Sequence, residues 1–108
     1  MIRNITKKTT VSESAKVANG IADKIFGMIL NKNHEGLIFK TNFGIHTFFM
    51  KKSIDVLILD QLHMVVSIKK ELTPGRIFIW NPKYNLAIEL PGGAIERSKT
   101  KIGDKLDF

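Results

Sequence analysis

The segment Ile54–Leu59 constrains the fold of this chain most, because five of its six residues are aliphatic and the sixth is Asp55. Such a run favours an extended strand. Side chains alternate along a strand, so Asp55 shares one face with two leucines while three β-branched residues take the other. Both faces are therefore apolar, which predicts that this strand forms the middle of a wrapped sheet and that Asp55 lies among aliphatic neighbours.

Most of the remaining chain is also predicted to be extended, because short β-prone runs alternate with turn-forming residues. The other predicted strands cover residues 2–7, 9–18, 37–39, 45–50, 64–68, 77–80, 86–90 and 105–108. The runs 45–50, 54–59 and 64–68 are separated by short polar breaks, which indicates an antiparallel meander.

Two helices are predicted among these strands. Asn19 can cap a helix whose apolar residues recur at helical spacing from Ile21 to Met28. Residues 94–100 have a helix-compatible composition over only about two turns. The predicted fold class is therefore mostly β (α+β): a rolled antiparallel sheet or small β-barrel with one main helix and one short C-terminal helix.

The length and the cysteine count limit the organisation of the protein. A chain of 108 residues has the usual size of one domain, so residues 1–108 are predicted to form a single unit. The absence of cysteine excludes disulfides, thiolate metal sites and cysteine nucleophiles. The first eight residues lack the apolar stretch of a secretory signal, and no run is long enough to span a membrane. We therefore expect a cytoplasmic protein.

The charge of the chain is strongly basic, with a net charge of +7. Lysines outnumber arginines fourteen to three, whereas specific base recognition favours the bidentate guanidinium of arginine. Sequence-specific DNA binding is therefore not expected. Nonspecific binding to nucleic acid or to another anionic surface stays open as one interpretation of the charge, and solubility alone is another.

Several motifs resemble a known family. The runs IHTFFM at 45–50 and IDVLILD at 54–60 are similar to the central signature of the family called domain of unknown function 192. AIELPGG at 87–93, with ER at 96–97 and IGD at 102–104, resembles the closing segment of that family. FGM at 26–28 and EGLIF at 35–39 resemble its first half. Ser53 and Gly92 depart from the pattern, in which proline and alanine are common.

The resemblance covers nearly the whole chain. It implies a compact β-rich fold with peripheral helices. It implies no agreed activity, cofactor or catalytic residue, so candidate functional residues must come from the chemistry of the side chains themselves.

Asp55 is the first candidate, because an isolated buried carboxylate is very costly and needs a partner. His46, Lys51 and Arg76 are candidate partners. In one interpretation Asp55 and His46 form an acid–base pair of an enzyme. In the other, preferred interpretation Asp55 binds nearby backbone amides and stabilises a turn. Glu89 is a third catalytic candidate that could pair with Asp55, although a cross-strand ion pair is its preferred role.

The preferred functional hypothesis is a small binding or accessory module that presents a pocket or a sheet edge. The residues predicted to form its contact surface are Phe48, Phe49, Met50, Lys51, Arg76, Trp80 and Tyr84.

A turn before the short helix is a candidate anion site, because Gly92 and Gly93 can present backbone amides and Arg97 lies close in sequence. A plain turn is the commoner role of such a glycine pair. The three histidines lack metal-binding spacing, so neither a metal nor another cofactor is predicted. Two of them, His34 and His63, are expected in solvated turns.

Overall fold

Ten strands and one short helix form the part of the chain that the computed structural model describes, which is residues 1–17, 36–42, 44–47 and 50–108. The strands are β1 (Ile2–Asn4), β2 (Thr9–Ser12), β3 (Ala15–Val17), β4 (Gly36–Lys40), β5 (Ile45–His46), β6 (Ile54–Leu59), β7 (Val65–Leu72), β8 (Ile77–Phe78), β9 (Leu86–Pro91) and β10 (Leu106–Asp107). The helix α1 spans Ala94–Ser98. The mostly-β fold class is confirmed, whereas the helix predicted from Asn19 and the turn of His34 lie outside the described residues.

The central sheet has five strands in the order β3-β4-β9-β6-β7. β6 is antiparallel to both of its neighbours, and β3 is parallel to β4. Every residue of β6 is buried, as expected of a strand that has neighbours on both edges and apolar side chains on both faces. The prediction of a buried, extended segment around Asp55 is therefore confirmed.

Two hydrophobic cores lie on opposite faces of this sheet. The first core contains Leu57 and Leu59 of β6 together with the other residues Ile2, Val11, Ile38, Val65, Ile88, Leu90, Ala94, Ile95 and Leu106. The second core contains the β-branched residues of β6 together with Leu37, Phe39, Ile45, Leu72 and Ala87. Each fully buried aliphatic side chain stabilises the fold by about 1.5–3 kcal/mol. Residues on both faces of the sheet therefore contribute to the stability of the protein.

A two-stranded ribbon of β5 and β8 packs on the second core. The predicted meander is wrong at this point, because β5 pairs with β8 and the second neighbour of β6 is β9. Thr47 explains the difference: its amide donates to Arg76 O at 2.9 Å, and its hydroxyl donates to Thr73 O at 2.7 Å. The chain after β5 is thereby fixed to the loop before β8 and turns away from β6.

The third sheet has the order β10-β1-β2. It joins the central sheet where Met64 bridges to Lys105 and the Val65 amide donates to Asp104 O at 2.8 Å. The pairings among the described strands do not close into a ring, so the rolled sheet and the barrel of the sequence analysis are not confirmed. None of the helical segments described is long and apolar enough to cross a membrane.

Candidate functional site

Asp55 lies at the junction of three elements and is only 1% exposed. One carboxylate oxygen accepts the Glu71 amide at 2.9 Å, beside a shift in the β6–β7 register where Glu71 adopts φ +54°. The other oxygen accepts the amides of Gly93 at 3.1 Å and Ile95 at 2.9 Å. These amides belong to the first turn of α1, where a carboxylate is electrostatically favoured. Asp55 therefore makes the contacts of the preferred interpretation, in which it binds nearby backbone amides.

The three catalytic candidates do not converge. Asp55 pairs with Leu90 across the β6–β9 register and faces the first core. Glu89, 3% exposed, pairs with Val56 and therefore faces the second core on the other side of the sheet. His46 lies exposed on the ribbon, which also covers the second core. Because both candidate partners lie across the sheet from Asp55, neither an acid–base pair nor a two-carboxylate site is formed.

The backbone amides of the candidate anion site are already used within the fold. Gly92 donates to Ser53 O at 3.2 Å, and Gly93 donates to Asp55. The Arg97 guanidinium donates to Val11 O at 2.8 Å and so ties α1 to β2. The carboxylate of Asp55 thus occupies the position that an external anion would need.

Trp80 and Tyr84 lie where the ribbon meets the loop that follows it. Phe78 and Trp80 pack on the second core with ring centroids 5.5 Å apart. The Trp80 indole N–H donates to Tyr84 O at 2.8 Å and closes the loop between them. Met50 and Tyr84 are partly buried against the same core. Of the predicted contact residues, these three lie on one face of the molecule, whereas Phe48 and Phe49 are outside the described residues.

Two exposed aliphatic residues that sequence reasoning missed lie in β8 and directly after it. Ile77 is 65% exposed and Ile79 is 71% exposed. Their neighbours Phe78 and Trp80 point to the core, so alternation directs both isoleucines to solvent. All four residues in this run are apolar, and periodicity alone gives no signal for which pair is inside. We call the outward surface of Ile77 and Ile79, with the adjoining loops, the ribbon face.

The ribbon face is built from segments that contain no carboxylate. Residues 36–54 and 72–88 include no aspartate or glutamate, yet they include five cations: Lys40, Lys51, Lys52, Arg76 and Lys83. All five are exposed. Lys51 and Arg76, both predicted as contact residues, are therefore exposed cations of the two segments that hold the ribbon strands.

A buried polar network joins the first and last parts of the described chain, and we call its members Asn4, Lys7, Thr100 and Asp104 the clasp. The Asn4 side-chain amide donates to Thr100 Oγ1 at 3.0 Å and to Asp104 Oδ2 at 2.9 Å. The Lys7 ammonium contacts Asp104 Oδ1 at 2.8 Å. The amino-acid sequence gives no sign of this network, since its residues are up to 100 positions apart.

The clasp determines the charge state of Asp104. Burial opposes ionisation of this carboxyl, but the hydrogen bonds from Asn4, from Lys7 and from the Lys101 amide, together with the charge of Lys7, outweigh it. The pKa of Asp104 is therefore held below its ordinary value. Asp104 is a structural anion, fully satisfied inside the fold.

Metal-binding side chains are not clustered within the part of the chain that the structure describes: it contains no group of three histidine or acidic residues close enough to hold an ion. His63, predicted in a solvated turn, is partly buried there and stacks on Phe108 with ring centroids 4.3 Å apart.

Comparison with known proteins gives a family and a fold. Residues 2–108 match the profile of the domain of unknown function 192 family, described as uncharacterized ACR. A UPF0127 protein of Pyrococcus horikoshii is 33% identical over 114 residues, which cover 100% of this chain and 98% of that protein. A UPF0127 protein of Pyrococcus abyssi is 32% identical and is covered to 97%.

Two crystal structures are similar in fold. A protein of unknown function from Novosphingobium aromaticivorans superposes with a TM-score of 0.74 at 19% identity, covering 87% of this chain and 74% of that one. A Sinorhizobium meliloti protein, described as a candidate transcription regulator, gives a TM-score of 0.69 at 16% identity, with 86% and 79% covered. At these identities the likeness concerns the fold alone.

Proposed function

The chain belongs to the domain of unknown function 192 family, whose name states no activity, and from the geometry of the site we propose that it is a small binding module. Its contact surface is the ribbon face. The observation that carries the proposal is the pair Ile77 and Ile79, two aliphatic side chains that remain mostly exposed although the other side of the same ribbon is packed on a core.

Exposed aliphatic side chains that stand singly are common, whereas contiguous exposed apolar patches mark contact surfaces. The ribbon is rigid for identifiable reasons: Thr47 fixes one end of it, and the Trp80–Tyr84 hydrogen bond fixes the other. A rigid surface loses little conformational entropy when it binds. These features support a preformed contact surface rather than a loop that orders on binding.

Binding of the amphipathic anionic dye bis-ANS, whose rings report apolar contact, tests this proposal without knowledge of the partner. The variant Ile77→Ser/Ile79→Ser is expected to weaken dye binding about tenfold or more, because two buried aliphatic contacts are lost. Leu62→Ser/Ile102→Ser is the matched control, since these residues are 71% and 66% exposed but lie outside the ribbon. Unchanged dye binding in the first variant, or an equal loss in the control, would contradict the proposal.

Nonspecific nucleic-acid binding is a second candidate, favoured by the placement of the lysine doublets. Neighbouring residues in a regular strand point to opposite faces, so a doublet can serve one surface only at a bend or bulge. Lys51 and Lys52 lie in a bend, and Lys69 and Lys70 lie beside the irregular register of β7; all four are exposed.

Fluorescence anisotropy with single-stranded and duplex oligonucleotides tests this second candidate. If the lysine doublets bind phosphates, the affinity should fall by orders of magnitude between about 50 and about 200 mM salt. Lys51→Gln/Lys52→Gln should reduce the slope of log affinity against log salt by about two. An affinity that is independent of salt would exclude this mode of binding.

A further inference from the structure

We propose that the ribbon face binds the surface of an anionic lipid bilayer, an inference that rests on the proposed binding module and names its partner. The ridge formed by Ile77 and Ile79 would enter the boundary between headgroups and acyl chains. The surrounding cations would contact the lipid phosphates. Peripheral proteins commonly combine these two contributions, buried apolar area and attraction to anionic lipids.

The form of the apolar surface favours a bilayer over a peptide. Ile77 and Ile79 are spaced by about 6.6 Å along an extended strand and project outward from it. A ridge of this kind suits a deformable medium that closes around it. An acidic peptide would instead need a groove for its own apolar side chains, and the inward residues Phe78 and Trp80 are committed to the second core.

The burial of the aromatic rings disfavours binding of nucleic acid at the ribbon face. Bases bind to proteins by stacking on exposed rings. The rings of Phe78 and Trp80 are packed on the second core, and the Trp80 N–H is used by Tyr84 O. The exposed side chains of Ile77 and Ile79 are aliphatic and offer no ring for stacking, so His46 of β5 is the exposed ring that the described part of the ribbon presents.

The charge of the two segments that hold the ribbon strands is complementary to anionic lipid. Arg76 adjoins Ile77 in the chain, and Lys83 lies on the loop with its ammonium 5.7 Å from the centre of the Tyr84 ring. Lys40, Lys51 and Lys52 complete the five cations of two segments that contain no carboxylate. The attraction between such cations and anionic lipids acts within a Debye length and is weakened by salt.

Close backbone packing at Gly44 positions Ile79. At Gly44, which has φ +136°, an added Cβ atom would lie 2.6 Å from Phe78 O and 2.9 Å from the Ile79 side chain. The backbone before β5 therefore lies directly against the residue that projects. A side chain at residue 44 would displace Phe78 or Ile79, so the glycine allows this close packing.

Vesicle co-sedimentation tests the inference. The wild-type chain is expected to bind vesicles of equal parts phosphatidylcholine and phosphatidylglycerol, and to bind pure phosphatidylcholine vesicles far less. Ile77→Ser/Ile79→Ser should weaken binding about tenfold or more. Arg76→Gln/Lys83→Gln should weaken it about fivefold for each cation removed. The controls Leu62→Ser/Ile102→Ser and Lys8→Gln/Lys105→Gln, which change exposed residues elsewhere, should bind as the wild type does.

The possible outcomes distinguish a failure of the lipid inference from a failure of the proposed contact surface. No binding to mixed vesicles, equal binding to both vesicle types, or equal loss in the controls would overturn the lipid inference. If bis-ANS still binds through Ile77 and Ile79 in that case, the binding module stands and its partner is of another class. An acidic amphipathic peptide and an oligonucleotide, added to the same variants, would then identify the class of the partner. Binding of either probe through the ribbon face in preference to mixed vesicles would also overturn the lipid inference.

Discussion

Asp55 connects β6 to two further elements, because its two carboxylate oxygens accept amides from β7 and from the start of α1. The carboxylate balances the loss of water with three hydrogen bonds. It also substitutes for the side-chain cap that α1 lacks at Gly93. One acid in β6 thus positions an irregular strand and a helix at the same time.

Replacing Asp55 with asparagine should lower the free energy of unfolding by about 2–4 kcal/mol, because the amide nitrogen of asparagine cannot accept the bonds that one carboxylate oxygen accepts. Urea denaturation at neutral pH measures this loss. Asp107→Asn is a suitable control, since Asp107 is exposed on β10 and should change the midpoint little. An unchanged midpoint for Asp55→Asn would mean that the three amides do not depend on the charge.

The burial of Asp55 was predictable from the sequence, but its partners were not. The alternation of Ile54–Leu59 placed the acid in an apolar strand, and the pairings of β6 bear this out. The amides that it binds lie 16, 38 and 40 residues away. Backbone amides are present at nearly every residue and leave no signature in the sequence, so only the folded structure shows which ones face Asp55.

At the scale of elements, the ribbon of β5 and β8 depends on close backbone packing at Gly44. The φ of this glycine is unfavourable for other residues, and a Cβ atom would collide with a backbone oxygen of β8. Backbone cannot move aside as a flexible side chain can. The position of the ribbon is therefore set by the absence of a side chain at one residue.

Gly44→Ala should destabilise the protein by about 3 kcal/mol or more, from the strained φ together with the collision. Gly75→Ala is the matched control, because Gly75 also has positive φ but an added Cβ there meets nothing within 4 Å. Its cost should be about 1 kcal/mol. Thermal denaturation gives the two values, and hydrogen exchange of the Thr47 amide reports on the ribbon. Equal costs for the two variants would show that strain alone, and not packing, matters at Gly44.

The elements themselves were mostly predictable, whereas the partners of the ribbon were not. Each described strand lies within a run that the sequence predicts as extended, or overlaps it. The pairing of β5 with β8 spans more than 30 residues, and local sequence does not record which of several apolar runs will be neighbours. The same limit applies to Ile77 and Ile79, because an unbroken apolar run does not show which residues face solvent.

At the scale of the whole molecule, the clasp joins the ends of the described chain. β1 pairs with β10, and Asn4, Lys7 and Asp104 connect the two segments through buried hydrogen bonds. Closing contacts between such distant residues costs conformational entropy, which the buried hydrogen bonds and the core around them must offset. The stability of the first core, which includes Ile2 and Leu106, depends on this closure.

The clasp makes stability depend on pH. Because the pKa of Asp104 is lower in the folded than in the unfolded chain, the unfolded state binds protons first as the pH falls. The stabilisation is complete well above the ordinary aspartate pKa of about 3.9 and is lost as the pH drops through the lower folded value. Asp104→Asn should cost about 2–4 kcal/mol at neutral pH and progressively less below about pH 4.

Urea denaturation of the wild type and of Asp104→Asn over a series of pH values measures this dependence. The two stability curves should converge toward acid. A difference that stays constant from neutral to acid pH would show that Asp104 contributes through packing or neutral hydrogen bonds rather than through its charge.

The central sheet acts as a common wall between two cores, one closed by the clasp and the other covered by the ribbon. A substitution on one side is screened from the other by the backbone of β6 and β9. Substitutions of the outward residues Ile77 and Ile79 are therefore expected to leave the closure on the opposite side intact. The architecture separates what must be kept for folding from what is free to evolve.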